Sequence, residues 1–235
     1  MQSHFTGTLC AGVVASLFSA HLYAATTTYT DQATFLAALT SPGNTLDFDS
    51  TAAGSLIPTG SALGGLTFTY SFGGSSLVVT DGNQFGGGGP FDTTSGANFL
   101  GTDNSDLIID DDDFDLGFAA SNAIGFSVIT AETPGFSLFD DDIQLTAGGA
   151  TALLDVDSVQ QTLGDGSLVF FLGLIDDSAS FTRASLTTPN SSGSFFYNID
   201  DIVTTSAVPV PGALWLFCSG LMGLVGFSKR KTTHK

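Results

Sequence analysis

Residues 66–72 read Leu66-Thr67-Phe68-Thr69-Tyr70-Ser71-Phe72. Apolar and small polar side chains alternate throughout, the period of a strand with one face in a core and one in water. The same signal recurs in Ala123–Thr130, where Ile124, Phe126 and Val128 alternate with Gly125 and Ser127. Outward from these two runs lie shorter ones: Thr45–Asp49, Ser76–Thr80, Asp106–Asp110, Asp142–Ala147, Thr151–Val156, Leu168–Leu172, Ala179–Thr187 and Phe195–Thr204. Gly, Pro, Asn and Asp separate them, so about ten strands are expected. One helix is expected before them, Asp31–Leu39 capped by Thr30, with Phe35, Leu36 and Leu39 on its apolar face. No repeat of fixed period is visible, which argues against a solenoid. The expected fold is all-β: a jelly-roll-like β-sandwich with one short N-terminal helix. The glycine-rich run from Phe85 to Phe91 has no helix after it, so it reads as a mobile surface loop rather than a phosphate cradle.

The chain has 235 residues, enough for one domain with a core of its own. Hydrophobic residues make up 43% and charged residues 12%, which excludes a disordered chain and a multi-span membrane protein. All 23 acidic residues lie between Asp31 and Asp201, and all but Glu132 are Asp. Of the 5 basic residues, only Arg183 lies in that middle part; Lys229, Arg230, Lys231 and Lys235 are at the C-terminus. Residues 25–208 contain no His, Cys, Lys or Trp, and one arginine against 23 acids leaves them a net charge of −22. Such a body is repelled by phosphate backbones, so nucleic acid is not an expected partner. The acidic domain is expected to span residues 25–207, between two apolar ends.

The N-terminal end, residues 1–24, reads as a signal peptide. Leu9–Phe18 is a largely apolar run, and Leu22-Tyr23-Ala24-Ala25 follows after a short polar segment. Cleavage is expected after Ala24, with Ala25 as the second choice. The C-terminal end reads Val208-Pro209-Val210-Pro211-Gly212, then an apolar stretch over 213–228, then a basic tail over 229–235. The stretch is expected to form a short transmembrane helix with Trp215 at an interface and Lys229, Arg230 and Lys231 in the cytoplasm. Gly220, Gly223 and Gly226 give it one small-residue face.

These C-terminal residues resemble a PEP-CTERM protein-sorting signal. The proline motif Val208-Pro209-Val210-Pro211, the spacing Trp215-Leu216-Phe217 and Ser219-Gly220-Leu221, and the basic Lys229-Arg230-Lys231 occur in that family's order. Val210 stands where the namesake motif has Glu, as in the Val-Pro-x-Pro variant. The resemblance implies recognition by an exosortase-type membrane protease and removal of the tail near Pro209–Gly212. It further implies a transient inner-membrane anchor and release to the surface or extracellular matrix of a Gram-negative bacterium that makes exopolysaccharide. The body is similar to others carried by such proteins in Asp81-Gly82-Asn83-Gln84-Phe85, Asn98-Phe99-Leu100-Gly101-Thr102, Ala123-Ile124-Gly125-Phe126 and Tyr197-Asn198-Ile199-Asp200-Asp201-Ile202. The last of these is also similar to the closing strand of jelly-roll carbohydrate-binding modules. That similarity implies a structural calcium held by Asp200 and Asp201 against Asp47 or Asp49.

Absences decide most of the chemistry. Without His or Cys, residues 25–208 cannot build a Ser-His-Asp triad, a Cys nucleophile or an ordinary zinc site, and no enzyme is expected. A two-carboxylate glycosidase is the one catalytic alternative left. Calcium uses Asp better, because it takes six to eight hard oxygens from carboxylates and loop carbonyls. The candidate ligands are Asp110, Asp111, Asp112, Asp113 and Asp115 in one loop, or Asp49 with Asp200 and Asp201. Asp140-Asp141-Asp142 is a further acidic cluster. None is an EF-hand: counting from Asp110, position 6 is Asp115 rather than Gly and position 12 is Ser121. A solvated acidic surface suited to a saline habitat is the alternative. The functional expectation is a structural or adhesive protein of the exopolysaccharide matrix. A carbohydrate-binding module with specific glycan recognition is the alternative, although the body lacks Trp for stacking on sugar rings.

Overall fold

The computed structural model describes residues 26–41, 43–87, 89, 91–130, 138–189 and 195–205. The expected signal peptide, with Ala24 and Ala25, and the expected sorting signal from Val208 onward lie outside these residues. Among the described residues no helix is long and apolar enough to cross a membrane.

In chain order the elements are β1 (Thr26–Tyr29), α1 (Gln32–Ala38), β2 (Gly43–Leu46), β3 (Ser55–Ile57), β4 (Ser61–Leu63) and β5 (Leu66–Tyr70). Next come β6 (Leu77–Thr80), β7 (Phe99–Thr102), β8 (Ile108–Ile109), β9 (Phe114–Ser121) and β10 (Ala123–Thr130). The chain continues with β11 (Gln144–Ala147), β12 (Ala150–Leu153), β13 (Gln161–Thr162), β14 (Leu168–Asp176), β15 (Phe181–Thr187) and β16 (Phe196–Thr205). They form two antiparallel sheets. The larger runs β1-β14-β10-β16-β7-β6-β3, with β13 beside β14 and with β2 and β8 beside β16; the smaller runs β12-β11-β15-β9-β5-β4. The chain crosses repeatedly between them, as from β9 to β10 and from β14 through β15 to β16. The fold is the expected jelly-roll-like β-sandwich.

In β5 the alternation works as it reads. Leu66 and Phe68 are buried while Thr67 and Thr69 face outward. Phe68, Phe114 and Leu116 of the smaller sheet share one apolar cluster with Phe126, Val128, Leu172 and Ile199 of the larger.

β10 departs from its sequence pattern, because all eight of its residues are buried. Two elements cover its outer face: α1 lies over one end, and at the other Ile129 packs with Leu163 and Val169. Phe35 of α1 is fully buried against Ala123, Phe171, Ile175 and Val203. Gly125 and Gly173 pair across β10 and β14 beneath it. A Cβ on Gly173 would lie 2.7 Å from the Phe35 ring, so both glycines make room for the helix. The helix itself is shorter than expected, and Asp31 rather than Thr30 is its N-cap, accepting the Thr34 N–H at 2.7 Å. A carboxylate satisfies that donor and the positive helix end together.

Six strands were not legible: β1, β3, β4, β7, β9 and β13. Strand β9 begins at Phe114, directly after the acidic run, and the density of Asp around it masked its alternation.

Candidate functional site

The acids fall into groups that the fold treats differently. Asp49 and the Asp200–Asp201 pair flank one loop segment, residues 94–98. Asp49 accepts the N–H groups of Ala97 at 2.8 Å and Asn98 at 3.1 Å. Asp200 accepts Thr94 N–H at 3.1 Å, Thr94 Oγ1 at 2.7 Å and Ser95 N–H at 3.2 Å. Asp201 accepts the hydroxyls of Thr94 and Ser95, both at 2.9 Å. Asp47 closes a local turn by accepting Asp49 N–H at 3.2 Å. The loop therefore sits among these carboxylates as their hydrogen-bond partner. Asp200 is fully buried, and burial, with repulsion from Asp201, pushes its carboxyl up to about 7 against the lowering bonds from Thr94 and Ser95.

Asp106 was not singled out by its sequence, yet it organises the glycine-rich loop. It is fully buried and accepts the Thr80 hydroxyl together with the N–H groups of Gln84 (3.2 Å), Phe85 (2.7 Å) and Gly87 (3.0 Å). The described part of that loop is thus pinned from beneath, contrary to its reading as a mobile loop. The partners lie 19 to 26 residues from Asp106, a separation that carries no local signal.

The Asp110–Asp115 run is divided by the structure. Asp115 is in β9, paired with Thr69 on one side and Ser185 on the other, and accepts the Ser185 hydroxyl on the outer face of the smaller sheet. Asp113 accepts both the N–H (2.8 Å) and hydroxyl (3.1 Å) of Thr188, and Asp111 N–H donates to the same hydroxyl at 2.8 Å. Asp112 is different: it is 8% exposed, and its Oδ2 has no hydrogen-bond partner among the described residues. Burial first, and then the charges of Asp110, Asp111 and Asp113, push its carboxyl above the ordinary range, against one bond from Ile109. Asp142, outside the candidate set, behaves alike. It is 2% exposed, its Oδ1 lacks a partner among the described residues, and burial with repulsion from Asp110, Asp140 and Asp141 raises its carboxyl. Among the described residues no group of three or more His, Cys, Asp or Glu side chains is placed to hold a metal ion by itself.

A separate cleft of about 510 Å³ opens on the outer face of the smaller sheet, lined by Thr67, Thr69, Asp115, Phe118, Thr182 and Arg183 among others. A register shift between Phe181 and Arg183 turns both Thr182 and Arg183 outward, and Gly117, paired with Arg183 and Thr67, leaves the floor flat. Arg183 makes no ion pair among the described residues.

These features define an acidic β-sandwich with hard-oxygen groups and, in residues 25–208, no His or Cys to form a nucleophile–base pair. The chain carries a PEP-CTERM protein-sorting motif: that family model matches residues 207–231. It is accordingly an exosortase-sorted protein, exported, processed at the membrane and sent to the cell surface. No curated protein sequence matches the chain. A similar solved structure is the K2 cleaved adhesin domain of Lys-gingipain, at 14% identity and a TM-score of 0.43, covering 70% of this chain and 98% of that one.

Proposed function

We propose that the sorted β-sandwich is a non-catalytic structural or adhesive protein of the extracellular matrix that associates with exopolysaccharide through calcium. The observation that carries this is the joining of a surface-sorting motif at residues 207–231 to a body of charge −22. Calcium enters by charge: a polyanionic protein meets an acidic polymer only across a cation. The absence of His, Cys and Lys from residues 25–208 supports a binding role over a catalytic one. Co-sedimentation with the host's own exopolysaccharide, in calcium and then in EDTA, tests it. Binding that EDTA abolishes is expected; no binding in either condition overturns it.

The Arg183 cleft favours a second reading, specific glycan recognition. The Arg183 fork suits a carboxylate or vicinal hydroxyls, the threonines suit sugar hydroxyls, and Phe118 offers an apolar face. Saturable binding of one oligosaccharide, insensitive to EDTA and lost in Arg183→Ala, would select this reading over the first.

A further inference from the structure

Two buried carboxylates, each with one oxygen that has no partner among the described residues, stand on turns of the same design. In the first, Asp112 N–H donates to Ile109 O at 3.1 Å while its carboxylate takes the Ile109 N–H. In the second, Asp142 N–H donates to Phe139 O at 3.3 Å while Asp142 Oδ2 takes the Phe139 N–H at 2.7 Å. The preceding residue of each has a left-handed backbone, with φ of 71° at Asp111 and 67° at Asp141. Each turn thus ends in a buried Asp with one oxygen bonded within the turn and the other, Asp112 Oδ2 or Asp142 Oδ1, left over.

The sheet sets these turns side by side. Strands β9 and β11 flank β15 on its two sides, and both run antiparallel to it. They start at the same end: Phe114 pairs with Leu186, and Gln144 with Thr187. The residues just before them, Asp110–Asp113 and Asp140–Asp142, therefore lie at one end of the sheet, about 10 Å apart across two strand spacings. Asp110 lies close enough to raise the carboxyls of both Asp112 and Asp142 by its charge. Two buried carboxylate oxygens with no donor among the described residues, repelled by a shared third acid, are costly unless something positive meets them. No Lys or His exists in residues 25–208 to do so.

We propose that the paired turns form a calcium site, with Asp112 and Asp142 as its carboxylate ligands and Asp110 beside them. Main-chain carbonyls of the turns and water complete the shell, since calcium takes six to eight oxygens in irregular geometry. An all-oxygen donor set suits calcium better than zinc, and loop ligands suit it better than the rigid octahedron of magnesium. Asp115 and Asp113 are not ligands, because both are bonded to β15 and the residue after it. The site deepens the calcium-dependent matrix reading, but its test needs no polysaccharide.

The test is a melting curve of the full chain with calcium and with EDTA. An affinity near 10⁻⁴–10⁻³ M, about that of extracellular modules, is expected. At a hundredfold excess the midpoint should rise by roughly 5 °C. Asp112→Asn/Asp142→Asn should lose that rise, while Asp49→Asn and Asp200→Asn keep it. Terbium reports the place independently: the Tyr197 hydroxyl lies 3.5 Å from Asp112 O, so bound terbium should emit through Tyr197. Tyr197→Phe should cut that emission several-fold and leave the calcium rise intact. No calcium rise in the full chain, or a rise retained in the double Asn variant, overturns the site. If that variant fails to fold, unchanged terbium emission in Tyr197→Phe overturns it. A calcium rise without polymer co-sedimentation leaves the site standing and removes the matrix function instead.

Discussion

Asp176 and Asp112 are almost equally buried, 7% and 8% exposed, yet their carboxyls move in opposite directions. Asp176 closes the turn from β14 toward β15. Burial pushes it up, but four bonds outweigh that: Ser178 N–H and hydroxyl, Ala179 N–H and the Thr26 hydroxyl hold it below the ordinary range. Asp112 has one donor and three acidic neighbours, and its carboxyl rises. Burial alone therefore does not make an acid functional. An acid whose oxygens meet donors is part of the fold, and one whose oxygens do not is waiting for a proton or a cation.

The sharpest way to break this comparison is Asp200, which has donors yet sits beside Asp201. Its folded carboxyl titrates at about 7, above the ordinary unfolded value, so between those pH values the folded state holds the extra proton. Stability should fall by on the order of 4 kcal/mol as pH rises from 4 to 7, then level off. In Asp200→Asn, urea midpoints across that range should lose this slope; an unchanged slope means Asp200 is not the group responsible. The next effect is Asp176→Ala, which strands two turn N–H groups and should cost about 3 kcal/mol at pH 7 in the same assay. An unaltered midpoint would show that solvent replaces the carboxylate.

Gly96→Ala probes the loop between the satisfied acids. Gly96 has φ of 51°, and a Cβ there would run into the Asp49 carboxylate. A loss of about 2 kcal/mol is expected, and relief of that loss by adding Asp49→Ala would identify the clash as its cause. The smallest effect has the opposite sign. Without calcium, Asp142→Asn removes a buried, repelled charge and should raise the midpoint slightly, whereas Asn at Asp49 lowers it. A fall at Asp142 would mean that its second oxygen has a partner after all.

Much of the architecture was legible because strand alternation is local: Phe68 and Thr67 announce their faces within two residues. β10 was legible in extent but not in burial, since Phe35, which covers one end of its far side, comes from a helix far earlier in the chain. The candidate metal residues were legible only as a population. Asp110 and Asp112 were in the candidate set, but so were Asp49 and Asp115, which are bonded elsewhere, and Asp142 was not.

By itself the sequence determined the all-β class, the confinement of acids to one segment and the sorting motif over 207–231, because each is written in adjacent residues. Only the tertiary structure decided which carboxylates are satisfied. The donors for Asp49 lie 48 residues away and those for Asp200 as far as 106, so sheet register rather than spacing assigns them. The same register starts β9 and β11 at one end of β15 and leaves one oxygen each of Asp112 and Asp142 there without a donor among the described residues.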